Sequence, residues 1–273
     1  MCKIPSNFKW SFSKISAYES CPMMFRLCYL EHVKDDGNPF SDYGTFAHSI
    51  LEGWAKGEIP DFLMAETYKE GYDAAITHSF PPFPRGMGEK YYEAGLAYFE
   101  NFSGFGDEWE VVSAEEKFEL DIGGYPFVGI SDLILQHKET KELWVIDHKS
   151  KSASSMSKEL QTYRRQLYIY AAHVKQKYGV YPSKLSFNMF KEGTFIDEVF
   201  DINMFNDTME WVVEMIESIL FEADWKISPS SYFCRFICPA LMSCPAKEAV
   251  LNPPPTEKKT RKKKDESSCT TSS

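Results

Sequence analysis

A mixed α/β domain is the fold class this chain predicts, and three observations carry that prediction. Three strand-like segments succeed one another between residues 111 and 149, helical patterns stand before and after them, and two further strand-like segments follow the later helical stretch. With 273 residues, 43% hydrophobic and 15% aromatic, the chain can bury the core such a fold needs, and one large domain is expected.

Taken in order, Ser11 to Leu30 reads as a helix with Ser11 or Ser13 as its cap. A second helix is expected over Asp42 to Lys56, with His48 and Glu52 on one face. Asp61–Thr77 and Gly88–Phe102 read as two more, separated by the breaker Pro81-Pro82-Phe83-Pro84, and form a helical insertion over about residues 57–105. Strands are predicted at Val111–Ile122, Tyr125–Gln136 and Glu142–Lys149, because these stretches are rich in β-branched and aromatic residues. Gly123-Gly124 supplies the first tight turn and the polar run Lys138–Lys141 the second. A long helix follows over Ser154–Tyr178, then strands at Lys184–Lys191 and Thr194–Phe200, a helix at Asp207–Trp225, and a cysteine-rich segment from Cys234 to Cys244. The folded domain is placed at residues 1–250. Beyond Pro253-Pro254-Pro255 the Lys/Ser/Thr-rich remainder cannot bury enough apolar surface to fold, so residues 251–273 are expected to be a disordered basic tail.

The charges on the middle strands carry the chemistry. Asp132 lies on the second strand, and Asp147-His148-Lys149 ends the third. Strand side chains alternate faces, so Asp147 and Lys149 share one face while His148 points away. Each aspartate by itself reads as a solvated strand end, since charged residues are mostly exposed. Together they are a set for metal-assisted phosphodiester cleavage: two carboxylates hold a divalent cation, and a lysine positions the nucleophile or stabilises charge on the phosphate.

Gly129-Ile130-Ser131-Asp132 followed by Val145-Ile146-Asp147-His148-Lys149 closely resembles the motif core of the PD-(D/E)XK nuclease superfamily. Further along the same lines, Ser13 to Phe25 resembles the N-terminal segment of its RecB-type branch, Gly44-Thr45-Phe46-Ala47-His48 its histidine motif, and Gln166-Leu167-Tyr168-Ile169-Tyr170 its glutamine-tyrosine motif. The resemblance implies a restriction-endonuclease-like core, a mixed sheet flanked by helices in αβββαβ order. It implies Asp132 and Asp147 as metal ligands completed by His48, with the His148 backbone carbonyl as a further candidate, and Lys149 assisting the attacking water. Glu116, on the preceding strand, is a weaker candidate, and its neighbour Glu115 could equally take that place. Gln166 and Tyr170, four apart on a helical face, are suited to hold the lysine or a DNA phosphate. The implied cation is Mg²⁺ or Mn²⁺, imidazole favouring Mn²⁺. The implied activity is exonucleolytic cleavage of DNA ends or single strands, as in stand-alone CRISPR-associated and phage recombination members, serving recombination, repair or phage DNA processing. Rival readings are a DNA-end-binding or assembly subunit with a vestigial site, and a zinc-bound interaction module on an unrelated fold.

Seven cysteines without a secretory context argue for reactive or metal-bound thiols rather than disulfides. Cys234, Cys238 and Cys244 are dense enough to supply three soft ligands. Resemblance to the iron–sulfur subgroup implies Cys21 as the fourth and a [4Fe–4S] cluster tying the chain ends together, with zinc or unligated thiols as alternatives. Cys28 is expected to pack as a small apolar side chain, and Cys2 and Cys269 to be free.

Net charge is −10, but residues 251–273 are locally +3, which leaves −13 for the rest. DNA would therefore meet a local basic channel, with Lys149, Lys151, Lys158, Arg164 and Arg165 as candidates. No helicase or nucleotide-binding motif is evident, so recombination or helicase proteins are the expected partners. Neither a membrane-length apolar run nor a signal-peptide apolar region is present, and a cytoplasmic location is expected, the host cytoplasm for a phage-encoded chain.

Overall fold

The three successive strand segments form the first part of a five-stranded mixed sheet in a computed structural model that describes residues 4–253. In chain order the helices are α1 (Phe12–Ser20), α2 (Pro22–Phe25, continued by a π-turn to Leu30), α3 (Pro39–Ala55), α4 (Met64–Ala75) and α5 (Met87–Glu100). After the first three strands come α6 (Ala153–Lys158) and α7 (Leu160–Tyr178), and after the last two come α8 (Ile202–Leu220), α9 (Ser231–Phe236) and α10 (Lys247–Leu251). The strands are β1 (Trp109–Ile122), β2 (Tyr125–His137), β3 (Leu143–His148), β4 (Lys184–Met189) and β5 (Thr194–Val199), and they lie side by side in that order.

Only β3 and β4 run parallel; the other neighbours are antiparallel. A parallel pair needs a crossover, and α6 and α7 provide it. All six residues of β3 are buried, as expected of a central strand covered on both faces. The β1–β2 hairpin closes through Gly123 and Gly124, both at positive φ (63° and 86°), the pair of left-handed conformations a two-residue hairpin turn requires.

Several boundaries differ from those expected: α3 starts at Pro39 rather than Asp42 and α4 at Met64 rather than Asp61, and helices that flank the sheet differ as well. The N-terminal helix breaks at Cys21, which is extended (φ −163°, ψ 107°), because Pro22 excludes its predecessor from the helical region and then starts α2. The stretch 154–178 divides at Glu159 into α6 and α7. The helix expected at Asp207–Trp225 instead starts at Ile202, because Asp201 caps it by accepting the Asn203 N–H at 2.7 Å, and it stops at Leu220.

Apolar packing forms three clusters, the smallest being Leu133, Leu135, Trp144 and Ile146 on the sheet face away from Ile134 and Val145. The main core lies between the sheet and α1, α2, α7 and α8, around Trp10, Phe25, Phe127, Val145, Leu167 and Ile216. Helices α3, α4 and α5 bury a satellite core of their own, around Tyr43, Ile50, Leu51, Tyr68 and Phe99, joined by Phe190 just after β4. No helix among the described residues is long and apolar enough to cross a membrane. Cys2, Cys269 and the basic stretch from residue 254 lie outside the described residues.

Candidate active site

The middle of β2 and the end of β3 bring Asp132, Asp147 and Lys149 together, and α3 delivers His48 from the satellite core. Lys149 Nζ lies 2.6 Å from Asp147 Oδ2 and donates to Gln166 Oε1 at 2.9 Å. Gln166 Nε2 in turn donates to the Tyr170 hydroxyl at 2.7 Å. An Asp147–Lys149–Gln166–Tyr170 chain therefore runs from the strand end onto α7, and its partners orient the glutamine amide. An ammonium has three donors, and two of these are directed here.

His148 splits between the two faces of the sheet. Its backbone N–H donates to Asp132 Oδ2 at 2.8 Å, and its carbonyl oxygen lies 3.0 Å from His48 Nε2. Its side chain points the other way and is buried, with Nδ1 accepting from Asn188 at 3.0 Å. Burial, reinforced by the charges of His48 and Lys149, holds this imidazole well below its ordinary pKa, so it is neutral.

On β1 the neighbours Glu115 and Glu116 part company. Glu116 turns away and pairs with Lys177, to which both its oxygens are within 2.7 Å. Glu115 instead has its carboxylate 3.4 Å from His48 Nδ1. The reason is a register shift between Val111 and Ser113, which inserts an extra residue and reverses the facing pattern downstream. The flanking pairs Ala114–Leu133 and Glu116–Ser131 set Glu115 opposite Asp132, and Glu115 adopts a left-handed φ of 48°. Alternation alone could not reveal that bulge; the sequence left the choice between the two glutamates open.

His48, Glu115 and Asp132 each offer a ligand atom, and these atoms lie within 4.8 Å of one another. Asp147 is buried, and its Oδ2 is ion-paired with the Lys149 ammonium. A divalent cation suits this donor set: hard carboxylate oxygens and one imidazole, with the buried Asp147 carboxylate alongside.

Electrostatics agree with an acid cluster short of charge compensation. Burial and then the Asp147 charge push the Asp132 carboxyl well above the usual carboxylate range. Burial opposes a charge on His48, but Glu115, Asp132 and Asp147 outweigh it and hold its pKa above the ordinary value. A protonated His48 ring can donate to both Glu115 and the His148 carbonyl, which matches its two contacts. Tyr170 is pushed well above its ordinary pKa, first by burial and then by Asp132 and Asp147.

Two depressions meet at Glu115. A cleft of about 720 Å³ is lined by Ser11, Phe118, Glu115, Asp132, Gln166 and Tyr170. On the other side a groove of about 500 Å³ passes Gly44, Thr45, His48, Glu52 and Ser150.

Most of the basic side chains named as a channel are engaged with acids. Lys151 pairs with Glu159, Arg164 with Glu198, and Arg165 with Glu19 while lying 4.1 Å over the Trp211 ring. Only Lys149 of that set faces the acid cluster, and Lys158 is exposed on α6. Cys21, Cys234, Cys238 and Cys244 line one small apolar pocket with Met24, Phe233 and Leu241. Backbone N–H groups of Ser228 and Ser230 donate to the Cys21 and Cys234 sulfurs at 3.4 Å. Burial, then neighbouring cysteines, push the Cys238 thiol up to about 11, and burial with Asp35 and Asp36 does the same to Cys28, which packs against the main core.

Solved structures similar to this chain include one called "Putative exonuclease" from Eubacterium rectale, at 10% identity and a TM-score of 0.44, covering 78% of this chain and 80% of that one. Another is SSO0001, at 17% identity and a TM-score of 0.32, covering 82% of this chain and 95% of that one. No curated protein matches the sequence. A family model for the PD-(D/E)XK nuclease superfamily matches residues 9–245. That span takes in every strand, the acid cluster and the last of the clustered cysteines, so the chain belongs to the PD-(D/E)XK nuclease superfamily.

Proposed function

We propose that this nuclease is a Mg²⁺- or Mn²⁺-dependent deoxyribonuclease of the RecB-like branch that acts on DNA ends or single strands. The observation that carries the reading is the compact His48, Glu115 and Asp132 set beside the buried Asp147, which is ion-paired with Lys149. Asp132, Asp147, Glu115 and His48 would hold the cation, with the His148 carbonyl as a further oxygen. A cation there supplies positive charge for phosphate oxygens and acidifies water.

The remaining roles follow from contacts. Lys149, held between Asp147 and Gln166, keeps one donor direction for a water or a phosphate oxygen. Gln166, anchored by Tyr170, fixes the ammonium in that orientation. Glu115 borders both the cleft and the groove, so a strand passing from one to the other runs across the acid cluster. In an acidic protein such a path suits local phosphate neutralisation by cations and Lys149 more than an extended basic footprint.

The four cysteines around one apolar pocket, with N–H donors on two of their sulfurs, support a [4Fe–4S] cluster tying Cys21 to the C-terminal segment. Zinc would satisfy the same thiolates, and iron, sulfide and zinc analysis of anaerobically purified protein separates the two.

Degradation of end-labelled linear and closed circular DNA, single- and double-stranded, with each cation tests the activity. Metal-dependent loss of linear DNA with circles spared is expected. Equal cutting of circles would replace the exonuclease reading with an endonuclease one, and no cutting under any cation would overturn both.

A further inference from the structure

His48 comes from a helix that packs mainly in the satellite core. Of the buried residues of α3, Tyr43, Ala47, Ile50 and Leu51 pack in that core with α4 and α5. The groups His48 meets, Glu115, Asp132 and the His148 carbonyl, all stand on the sheet. The position of α3 relative to the sheet therefore decides whether the ligand set closes.

Two residues just before α3 tie it to the cysteine segment. Asp36 donates its backbone N–H to the Pro239 carbonyl at 2.9 Å, and its Oδ2 accepts the Met242 N–H at 2.8 Å. Asn38 divides its amide. Oδ1 accepts the Phe40 and Ser41 N–H groups at 3.0 and 2.9 Å and so caps α3, while Nδ2 donates to the Ile237 carbonyl at 3.2 Å. Ile237, Pro239 and Met242 all fall between Cys234 and Cys244, and Cys21 and Cys238 pack against the main core. The cysteine segment is thus seated on the body that carries the sheet, and Asp36 and Asn38 connect it to the helix that carries His48.

We propose that Asp36 and Asn38 are positioning residues that pass the seating of the cysteine segment along α3 to His48, and thereby set the affinity of the acid cluster for its cation. The inference rests on the reading of His48 as a metal ligand. His48 stands about 15 Å along the helix from its cap, so a small tilt at Asn38 displaces the imidazole. Ligand sets tolerate little of this, since a misplacement of about 1 Å costs a reacting site on the order of 100-fold.

Asn38→Asp separates the two duties of that residue: a carboxylate still accepts the capping N–H groups but has no donor for Ile237. Asn38→Ser, another capping residue without that donor arm, repeats the test, and Asp36→Ala removes the acceptor for Met242. Mn²⁺ affinity of the full chain, with its cysteine centre intact, is read by the electron paramagnetic resonance of free Mn²⁺. Each variant is expected to weaken Mn²⁺ binding roughly tenfold, the low end of what loss of an outer partner of a metal ligand costs. Metal content at the cysteines and the melting profile in chelator should stay parental. In a His48→Ala background the same substitutions should weaken Mn²⁺ binding no further. Parental affinity in the Asp36→Ala/Asn38→Asp double variant, with His48→Ala weakened, would overturn the inference and leave the metal site standing. Equal weakening with and without His48 would overturn it as well, since the effect would then bypass that residue. If His48→Ala itself bound Mn²⁺ like the parent, the metal-ligand reading and this inference would both fall.

Discussion

Asp147 is 1% exposed and adds its charge to that of Asp132 on the next strand, so the acid cluster is built at a cost to the metal-free fold. Asp147→Asn should therefore abolish cleavage and yet stabilise the protein in chelator. Each unit by which the Asp132 pKa relaxes is worth about 1.4 kcal/mol. Denaturant unfolding with and without EDTA checks the sign, and a variant that is both active and no more stable would refute the assignment. The pH dependence follows from the same groups. Asp132 is raised above its ordinary 3.8 and His48 above its ordinary 6.5, so in both cases the folded state holds protons that the unfolded state has released. Metal-free stability therefore falls as pH rises through those windows. Cation binding needs both groups deprotonated, so it strengthens in the same direction. The rise in melting temperature caused by Mn²⁺ should be larger at about pH 8 than at about pH 6, and a rise that shrinks with pH would contradict the ligand set. The two adjacent glutamates should behave oppositely. Glu115→Gln should weaken Mn²⁺ binding and cleavage by more than the roughly 10–100-fold cost of an outer partner. Glu116→Gln should leave cleavage intact and cost about 0–1 kcal/mol through its half-exposed pair with Lys177.

At the scale of elements, the hairpin β1–β2 carries both Glu115 and Asp132, and its packing depends on a missing side chain. Gly129 pairs with Phe118 across the strands, and a Cβ there would come within 2.3 Å of the Phe118 ring. That ring in turn lies edge-on to Tyr170, with centroids 5.9 Å apart, at the end of the Lys149–Gln166 relay. Gly129→Ala should therefore force the ring aside, cost about 1–3 kcal/mol, and lower cleavage without removing any charged group. Urea unfolding and turnover measured on the same preparation check both; unchanged turnover would detach Tyr170 from the lysine's positioning. The hairpins, the crossover helix and their order were legible from periodicity and turn residues. The bulge that turns Glu115 inward was not, because alternation assumes an unbroken register.

At the scale of the whole molecule, the segment from Cys234 to Cys244 reaches back to Cys21 on the main core and to the start of α3, the helix of the satellite core. On the proposed cysteine ligation, Cys238→Ser should lose the bound metal and lower the melting temperature in a single step with it, since ligation between distant parts of the chain contributes directly to folding. Cys28→Ser, outside that pocket, should keep the metal content. Iron and zinc analysis with thermal melting on both variants tests this, and an unchanged metal content in Cys238→Ser would remove that residue from the ligand set.

What the sequence determined by itself was local. Strand alternation put Asp147 and Lys149 on one face, Gly123-Gly124 specified a hairpin, and the motif spacing identified the family that the model match shows. What only the tertiary structure decided was distance between elements: that Glu115 rather than Glu116 faces His48, that Arg164 and Arg165 are engaged with acids, and that Asn38 joins a helix cap to a cysteine segment 199 residues away. Side-chain chemistry and short-range periodicity are written residue by residue. Register shifts, ion-pair partners and the docking of one core on another depend on contacts whose alternatives differ by only a few kcal/mol and exist only once the chain has closed.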